Sequence, residues 1–161
     1  MIILGIDPGI ATTGYGVIEL QVTSYKLQVI DYGCIKTSLK LSFSERLLKI
    51  YNEIVTIIKK YKPARIGVES VYFAKNVKTA MKVSEARGVV MLAAGRLGTP
   101  VFELTPLQVK QALTSYGQAS KLQVQEMVKR ILNLKEIPRP DDAADALAVA
   151  ITCAQTKHYE S

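Results

Sequence analysis

The pattern of apolar and polar positions predicts three strands before the first helix. Residues 2–6 are almost all apolar, and Asp-Pro-Gly follows at residues 7–9. A continuous apolar run of this length is typical of a strand that is covered on both faces of its sheet. Residues 14–20 and 25–37 alternate well enough to predict two further strands. Because the connections are short and polar, we expect an antiparallel meander.

The rest of the chain alternates helical and strand patterns. Apolar residues recur at helical spacing as far as Pro63, and Ser42 or Ser44 could cap this helix. Further strands are predicted at 64–70 and 100–104, and further helices at 77–97, 106–116, 121–134 and 142–156. We expect Gly117 to end the third of these five helices and Asp141 to cap the last.

This order of elements predicts an α/β fold, a mixed five-stranded sheet with the three antiparallel strands first and helices on both faces. A chain of 161 residues is long enough to bury a sizeable core as one domain. With 48% apolar and 22% charged residues, we expect it to fold rather than to remain disordered. No repeat or long linker divides it, so we expect residues 1–161 to form a single domain.

The charge balance indicates an anionic partner. The chain has 21 basic and 14 acidic side chains, a formal net charge of +7 and a pI near 9.4. Nucleic acid is the leading candidate for a small domain of this charge. Surplus lysines also keep proteins soluble, and this alternative remains open on charge alone.

Several classes of site and location are not expected. Cys34 and Cys153 lack Cys-x-x-Cys spacing and His158 is the only histidine, so neither a zinc site nor a Ser-His or Cys-His nucleophile is predicted. No apolar run approaches the ~20 residues of a membrane span. The N-terminus lacks the features of a signal peptide, so we expect a cytoplasmic protein with reduced thiols.

Carboxylates stand at the ends of apolar segments in three places. Asp7 ends the first strand and Glu69 the fourth. Asp142 and Asp145 open the last helix, and residues three apart lie on one helical face. If the first and fourth strands are neighbours, their carboxyl ends bring two carboxylates together, and the last helix could complete the cluster.

Such a cluster predicts metal-dependent chemistry. Four carboxylates without a compensating histidine would repel one another, and hard divalent cations such as Mg²⁺ or Mn²⁺ would relieve the repulsion. Two such ions ~3.5–4 Å apart can clamp a phosphodiester, activating water on one side and stabilising the leaving oxygen on the other. Together with the basic charge, the cluster predicts a nuclease.

Each carboxylate also has a simpler interpretation. Asp7 before Pro-Gly could only begin a turn, and Glu69 could be an ordinary strand-end residue. Acidic residues in the first turn of a helix are favoured by its dipole, an explanation that we prefer to metal ligation for Asp141. Glu103 also ends a strand, and it is the leading decoy.

Three segments resemble the signature segments of the RuvC Holliday-junction resolvases: GIDPGIATTGYGVI (5–18), ESVYFAKNVKTAMKVSEARG (69–88) and DAADALAVAIT (142–152). The correspondence continues through residues 101–130, so it covers nearly the whole chain in the same order and spacing. The resemblance implies an RNase H-like fold, a homodimer, and magnesium-dependent symmetrical nicking of four-way DNA junctions in homologous recombination and DNA repair.

The resemblance also implies roles for individual residues. It places the catalytic, metal-binding positions of the family on Asp7, Glu69, Asp142 and Asp145. Lys110 and Lys121 match lysines that the family uses near the DNA phosphates and the active site; otherwise they would be interpreted as solvated helix residues. Asp141 lies just outside the pattern, as a bystander or an alternative ligand. A branch-migration motor of the RuvA and RuvB type is the implied protein partner.

The segment after the strand-end glutamate offers candidate DNA contacts. Tyr72 stands where the family usually has phenylalanine, and it or Phe73 could stack on an unpaired base. Packing in the core is the alternative for Phe73. Lys75, Lys78 and Lys82 lie three and four residues apart, so they could form one positive helix face along a DNA backbone.

The long helix that follows is rich in small side chains: Ala80, Ala86, Gly88, Ala93, Ala94 and Gly95. Such a helix can approach a neighbour closely, either the sheet of its own chain or a second subunit. A four-way junction has approximate two-fold symmetry and needs two paired cuts, so an isologous homodimer suits the task. Arg87 is expected to serve packing or dimer contacts.

The leading hypothesis is therefore an endonuclease that resolves Holliday junctions. A related RNase H-like nuclease that acts on another substrate, such as an RNA–DNA hybrid, is the nearest alternative. An ATP-binding domain of the actin and sugar-kinase type also opens with Gly-Ile-Asp-x-Gly, but the second phosphate loop and greater length of that class are not found. A catalytically silent junction binder would not need the full set of carboxylates.

Overall fold

The computed structural model describes residues 1–70 and 77–156, without the side chains of residues 77–79. Within these residues, five strands form one sheet whose two faces are covered by helices. The strands are β1 (Ile2–Asp7), β2 (Thr12–Gln21), β3 (Lys26–Lys36), β4 (Arg65–Glu69) and β5 (Val101–Leu104). The helices are α1 (Phe43–Tyr61), α2 (Val77–Arg96), α3 (Pro106–Thr114), α4 (Lys121–Ile131) and α5 (Asp141–Gln155). None of the described helices is long and apolar enough to cross a membrane.

The sheet is mixed, as predicted, and its strand order is β3-β2-β1-β4-β5. β1 pairs antiparallel with β2, which pairs antiparallel with β3, so the meander is confirmed. β1 also pairs parallel with β4, and β4 pairs parallel with β5. β1 is therefore the central strand, which is why its sequence is apolar on both faces.

Alternate residues of β1 belong to two separate cores. Ile3 packs with residues of α3, α4 and α5 on one face of the sheet. Leu4 and Ile6 pack with residues of α1 and α2 on the other face. All three side chains are almost completely buried, and each contributes roughly 1.5–3 kcal/mol through removal of apolar surface from water. The two-sided core fixes the position of the strand that ends in Asp7.

Two glycines allow α5 to lie directly on the sheet. A Cβ atom on Gly5 would stand 2.1 Å from the carbonyl oxygen of Ala146, and one on Gly14 would stand 2.0 Å from that of Asp142. No real Cβ atom could occupy either position without moving the helix backbone. The close approach brings the first turn of α5 to the carboxyl end of β1.

Capping decides where two of the helices begin and end. Ser42 caps α1: its hydroxyl accepts from the amide of Glu45, whose carboxylate accepts from the amide of Ser42. The prediction that α3 reaches Tyr116 and stops at Gly117 is wrong. The helix ends at Thr114 because Ser115 adopts the left-handed conformation, with φ 58° and its amide bonded to the carbonyl of Gln111.

The ends of the last two helices also differ from the prediction. α4 ends at Ile131 rather than at Leu134, and Asn133 turns the chain with φ 51°. Asp141 is the first residue of α5 and not its cap, because Pro140 occupies the cap position without a side-chain hydrogen bond. The Asp141 carboxylate contacts Arg139 instead. Ion pairing has replaced capping at this helix start.

Candidate active site

Asp7 and Glu69 end neighbouring parallel strands. Ile6 of β1 stands opposite Val68 of β4, so the two carboxylate residues follow at the same edge of the sheet. Ile6 and Val68 both pack on the α1–α2 side. Since successive side chains of a strand point to opposite faces, Asp7 and Glu69 point towards α5. The neighbouring strands on which the predicted cluster depends are therefore confirmed.

The other three carboxylates of the predicted cluster are close enough to Asp7 for their charges to shift its pKa. Its pKa is raised from 3.8 to about 8, first by burial and then by the negative charges of Glu69, Asp145 and Asp142. The ammonium group of Lys121 acts in the opposite direction, and its effect is the smallest. An ionised Asp7 is therefore strongly disfavoured unless further positive charge approaches.

The pKa of Glu69 is also raised, but by less than that of Asp7. Its pKa is raised from 4.5 to about 7, chiefly by burial and then by the charge of Asp145. Lys121, a hydrogen bond with Asp7 and the charge of Lys110 all lower it. Ordinary turn residues do not have pKa values raised this far, so these two strand-end carboxylates mark a candidate functional site.

Lys121 is the local counter-ion of the cluster. Its Nζ lies 2.8 Å from Oδ2 of Asp145 and 3.8 Å from Oδ2 of Asp141. Burial lowers the pKa of Lys121, but the hydrogen bond and charge of Asp145, together with the charges of Asp141 and Asp142, raise it overall. The pKa of Asp145 is nevertheless raised, because burial and the charges of Asp142 and Asp141 together outweigh the effect of the lysine. Lys121 therefore points into the site and is not a freely solvated lysine.

A shallow cleft of about 200 Å³ joins the two lysines to two of the four carboxylates. Its polar lining consists of Glu69, Asp145, Lys110 and Lys121, and its apolar lining comes from α3, α4 and α5. A larger groove of about 1220 Å³ lies beside Met1, at the opposite end of β1. None of the predicted site residues lines that groove, so chemistry rather than size marks the site.

The donor set fits a hard divalent cation. Within the described residues, no three His, Cys, Asp or Glu side chains are arranged as a ready metal-ligand group. The oxygen ligands are nevertheless the kind that Mg²⁺ and Mn²⁺ prefer. Their raised pKa values record burial first and mutual repulsion second, and Lys121 offsets these effects only in part. A divalent cation would offset them further.

Glu103, the leading decoy, lies outside this cleft. Its carboxylate forms an ion pair with the guanidinium of Arg87, and its side chain is 44% exposed. The ion pair joins β5 to α2, so Arg87 serves packing within the chain. The dimer contact that the sequence also suggests for Arg87 stays a prediction.

Exchanging each of the two strand-end glutamates for glutamine is expected to separate the site from the decoy. Glu103→Gln loses an exposed ion pair, which is worth about 1 kcal/mol or less, so cleavage of a four-way junction should stay within about twofold of wild type. Glu69→Gln removes a buried carboxylate of the cluster, and cleavage should fall by on the order of a hundredfold. Single-turnover rates on the same junction provide the comparison. Equal losses in the two variants would contradict the assignment.

Several predicted DNA contacts are not tested by the structure. Lys82 is exposed on α2, as a backbone contact requires. Tyr72, Phe73 and Lys75 lie outside the described residues, as does the side chain of Lys78. These four residues, like Lys82, stay predicted DNA contacts.

Sequence reasoning missed three residues that bind the turn after Asp7. Thr13, Thr37 and Arg46 form hydrogen bonds to the backbone of residues 9–11. The available signal was Arg46 itself, a basic residue on the apolar face of α1, in line with Ile50.

The chain is similar over nearly its whole length to proteins of one family. A family profile described as Crossover junction endodeoxyribonuclease RuvC matches residues 3–153. The chain belongs to the RuvC family. Proteins of that description from Ruminiclostridium cellulolyticum and Clostridioides difficile are 54% and 53% identical to it. These alignments cover 98% and 99% of this chain, and 93% and 94% of the respective relatives.

Solved structures of the RuvC family agree with the fold. Thermus thermophilus RuvC superposes with a TM-score of 0.87 at 39% identity, covering 94% of this chain and 92% of that one. T. thermophilus RuvC in complex with a Holliday junction substrate gives 0.85 at 38% identity, with the same coverage. The RNase H-like fold implied by the sequence resemblance is confirmed.

Proposed function

We propose that this protein is a crossover junction endodeoxyribonuclease. It binds a four-way DNA junction and nicks two strands at symmetrical positions, in homologous recombination and DNA repair. The observation that carries the proposal is the convergence of carboxylates from β1, β4 and α5 beside a cleft with two lysines. Membership of the RuvC family, and the solved junction complex of a relative, support the choice of substrate.

The carboxylates would hold the divalent cations, two Mg²⁺ ions or Mn²⁺ in their place. The proposed ligands are Asp7, Glu69, Asp142 and Asp145. When bound, the ions would supply an activated water and stabilise the leaving oxygen. Hydrolysis of the phosphodiester would leave a 5′-phosphate and a 3′-hydroxyl. Asp7 would be the central ligand of this set, since burial and then the charges of the other three carboxylates raise its pKa.

The basic residues would bind the DNA backbone. Lys110 and Lys121 line the cleft beside Glu69, which supports their proposed role of neutralising phosphates next to the scissile bond. Lys75, Lys78 and Lys82 are proposed to contact the backbone farther away, in keeping with the net charge of +7. Tyr72 or Phe73 is proposed to stack on a base at the open centre of the junction.

A cleavage assay with three substrates tests this function. The proposal expects Mg²⁺-dependent cleavage of a mobile four-way junction, with paired nicks at symmetrical positions. A linear duplex and an RNA–DNA hybrid of the same sequence should remain intact. Preferential cleavage of the hybrid would instead support a related RNase H-like nuclease. Junction binding without any metal-dependent product would indicate a silent junction binder.

The outward face of α2 supports the proposed homodimer. Ala86, Ala93 and Ala94 are fully buried against the chain's own core. Gly88 and Gly95 lie on the exposed side, where an added Cβ would meet nothing within 4 Å. These five small residues of α2 therefore fall into two groups, one that packs inside the chain and one that leaves room for a second subunit.

A charge on this face is expected to prevent dimer formation. Leu92 lies on α2 between the two exposed glycines and is 64% exposed. We expect Leu92→Glu to shift the protein from dimer to monomer in sedimentation velocity, because the interface would bury two unpaired charges. Val22→Glu is the matched control, since Val22 is 62% exposed in the β2–β3 turn. A dimer that survives Leu92→Glu would place the interface elsewhere.

The cellular setting is proposed from family membership. We infer that residues 1–161 act as one nuclease domain in the cytoplasm, together with a branch-migration motor of the RuvA and RuvB type. Recovery of this protein with RuvA and RuvB on a tethered junction, but not on a tethered duplex, tests that association.

A further inference from the structure

The turn that follows Asp7 is held from three directions. We call residues 8–11 the Asp7 turn, since they connect Asp7 at the end of β1 to β2. Thr13 of β2 is completely buried, and its hydroxyl donates to the carbonyl of Gly9 at 2.7 Å. The first carbonyl of the turn after Pro8 is therefore fixed by the strand that the turn enters.

The next two carbonyls are bound by Thr37, which follows β3. The backbone amide of Thr37 donates to the carbonyl of Ala11 at 3.0 Å. Its hydroxyl donates to the carbonyl of Ile10 at 2.5 Å. Three consecutive carbonyls of the Asp7 turn thus accept hydrogen bonds from groups elsewhere in the fold.

Arg46 completes this arrangement from α1. Its Nε donates to the hydroxyl oxygen of Thr37 at 2.8 Å, and its Nη2 donates to the carbonyl of Ile10 at 3.3 Å. Arg46 therefore binds the turn directly and also orients the hydroxyl that binds it. Within the described residues, both hydrogen bonds of the Arg46 side chain serve this turn or its support.

Arg46 is a buried charged residue, and its burial indicates that its hydrogen bonds to the turn matter. The residue is only 9% exposed, and no carboxylate in the described part of the chain forms an ion pair with it. Burying an unpaired charge costs several kcal/mol, and an apolar side chain would avoid that cost. Arg46 stands one turn before Ile50, which is completely buried. α1 is anchored in the core by Ile50, and it positions the guanidinium of Arg46 against the Asp7 turn in spite of the free-energy cost of burying that charge.

We propose that Arg46 and Thr37 are positioning residues, which hold the Asp7 turn so that the Asp7 carboxylate stays in a productive place. The inference rests on the proposed function, since it assigns Asp7 a part in catalysis. Catalytic groups need placement within about 0.5 Å, and their supporting residues are what provides it. Loss of such support typically costs 10–100-fold in metal affinity or activity.

A pair of Thr37 variants tests the proposal. Thr37→Val keeps the shape of the side chain but removes the hydroxyl, whereas Thr37→Ser keeps the hydroxyl. Arg46→Lys keeps the charge but loses the two-pronged donor. Ile54→Val is the control for stability alone, because Ile54 is fully buried in α1 and makes none of these hydrogen bonds.

The readouts separate positioning from folding. Single-turnover cleavage of a four-way junction is measured over a range of Mg²⁺ concentrations, and junction affinity is measured in chelator. We expect Thr37→Val to lower the maximal rate about tenfold and to raise the half-saturating Mg²⁺ concentration, with junction affinity unchanged. Thr37→Ser should stay within about twofold of wild type, and so should Ile54→Val at a temperature where all variants are folded.

A double-mutant cycle adds a second criterion. Thr37 and Arg46 act through one hydrogen-bonded unit, so the loss in the Thr37→Val/Arg46→Lys double variant should be well below the product of the single losses. Thr37→Val with the wild-type rate and Mg²⁺ dependence would overturn the proposal, as would equal losses in Thr37→Val and Ile54→Val. If the wild-type protein does not cleave the junction, the proposed function itself has failed. That result differs from the two outcomes that would overturn the positioning role of Thr37 and Arg46.

Discussion

Asp7→Asn is expected to abolish junction cleavage while leaving junction binding intact. Asparagine has nearly the shape of aspartate, so β1 and the two cores on either side of it should be unchanged. The variant removes the carboxylate whose pKa all three of the others raise. We expect a loss on the order of a thousandfold, or about 4 kcal/mol of activation free energy, in single-turnover cleavage. Binding in chelator should persist, because the basic residues remain and a negative charge has gone.

Asp141→Asn is the matched control for this experiment. Asp141 is the first residue of α5 and stands next to Asp142. Its carboxylate contacts Arg139 and Lys121, and it lies outside the proposed ligand set. Its variant should retain cleavage within a few-fold of wild type. Full activity of Asp7→Asn would refute the mechanism, and inactivity of Asp141→Asn would add a fifth carboxylate to the site.

The free energy of unfolding is expected to fall as the pH rises from about 4 to about 8 in the absence of divalent cations. Burial and neighbouring carboxylates raise the pKa of Asp7 from 3.8 to about 8 and that of Glu69 from 4.5 to about 7. Between the ordinary and the raised pKa, the folded state keeps a proton that the unfolded state has lost. Raising the pH therefore favours unfolding, and the loss should level off above about pH 8.

Comparison with Asp7→Asn isolates this effect from other titrating groups. In chelator at pH 8, the variant should be more stable than wild type by on the order of 2 kcal/mol, because it no longer carries the most strongly destabilised carboxylate. Millimolar Mg²⁺ should stabilise wild type and have a much smaller effect on the variant. Urea unfolding at pH 5, 6, 7 and 8 provides the measurement. Wild-type stability that rises over this range would contradict the assigned pKa shifts.

Much of the fold followed from local patterns in the sequence. The central position of β1 was predictable, because only a strand covered on both faces needs an apolar run such as residues 2–6. The end of α3 was not predictable in the same way. Gly117 is the better residue for a left-handed cap, yet Ser115 adopts that conformation, in a turn where Thr114 also binds the backbone. Local contacts there outweighed residue preference.

The site was predictable as far as it depends on strand ends. Asp7 and Glu69 could be placed together once β1 and β4 were assumed to be neighbours, and the structure confirms that pairing. The hydrogen bonds of Thr37 and Arg46 to residue 10 join positions 27 and 36 residues apart along the chain. No local pattern encodes such contacts. Asp141 was misassigned as a cap because its carboxylate pairs with Arg139, two residues before it, and with Lys121 of α4, a partner that only the tertiary structure brings close.

The central claim is that the carboxylate cluster brings divalent cations to the scissile phosphate. Replacing one non-bridging oxygen of that phosphate with sulfur tests it most directly, since Mg²⁺ is harder than Mn²⁺ and tolerates sulfur less well. For one of the two sulfur isomers, we expect cleavage of the junction to slow by on the order of a hundredfold in Mg²⁺ and to recover largely in Mn²⁺. Equal slowing in both metals, or cleavage that persists in chelator, would contradict the account.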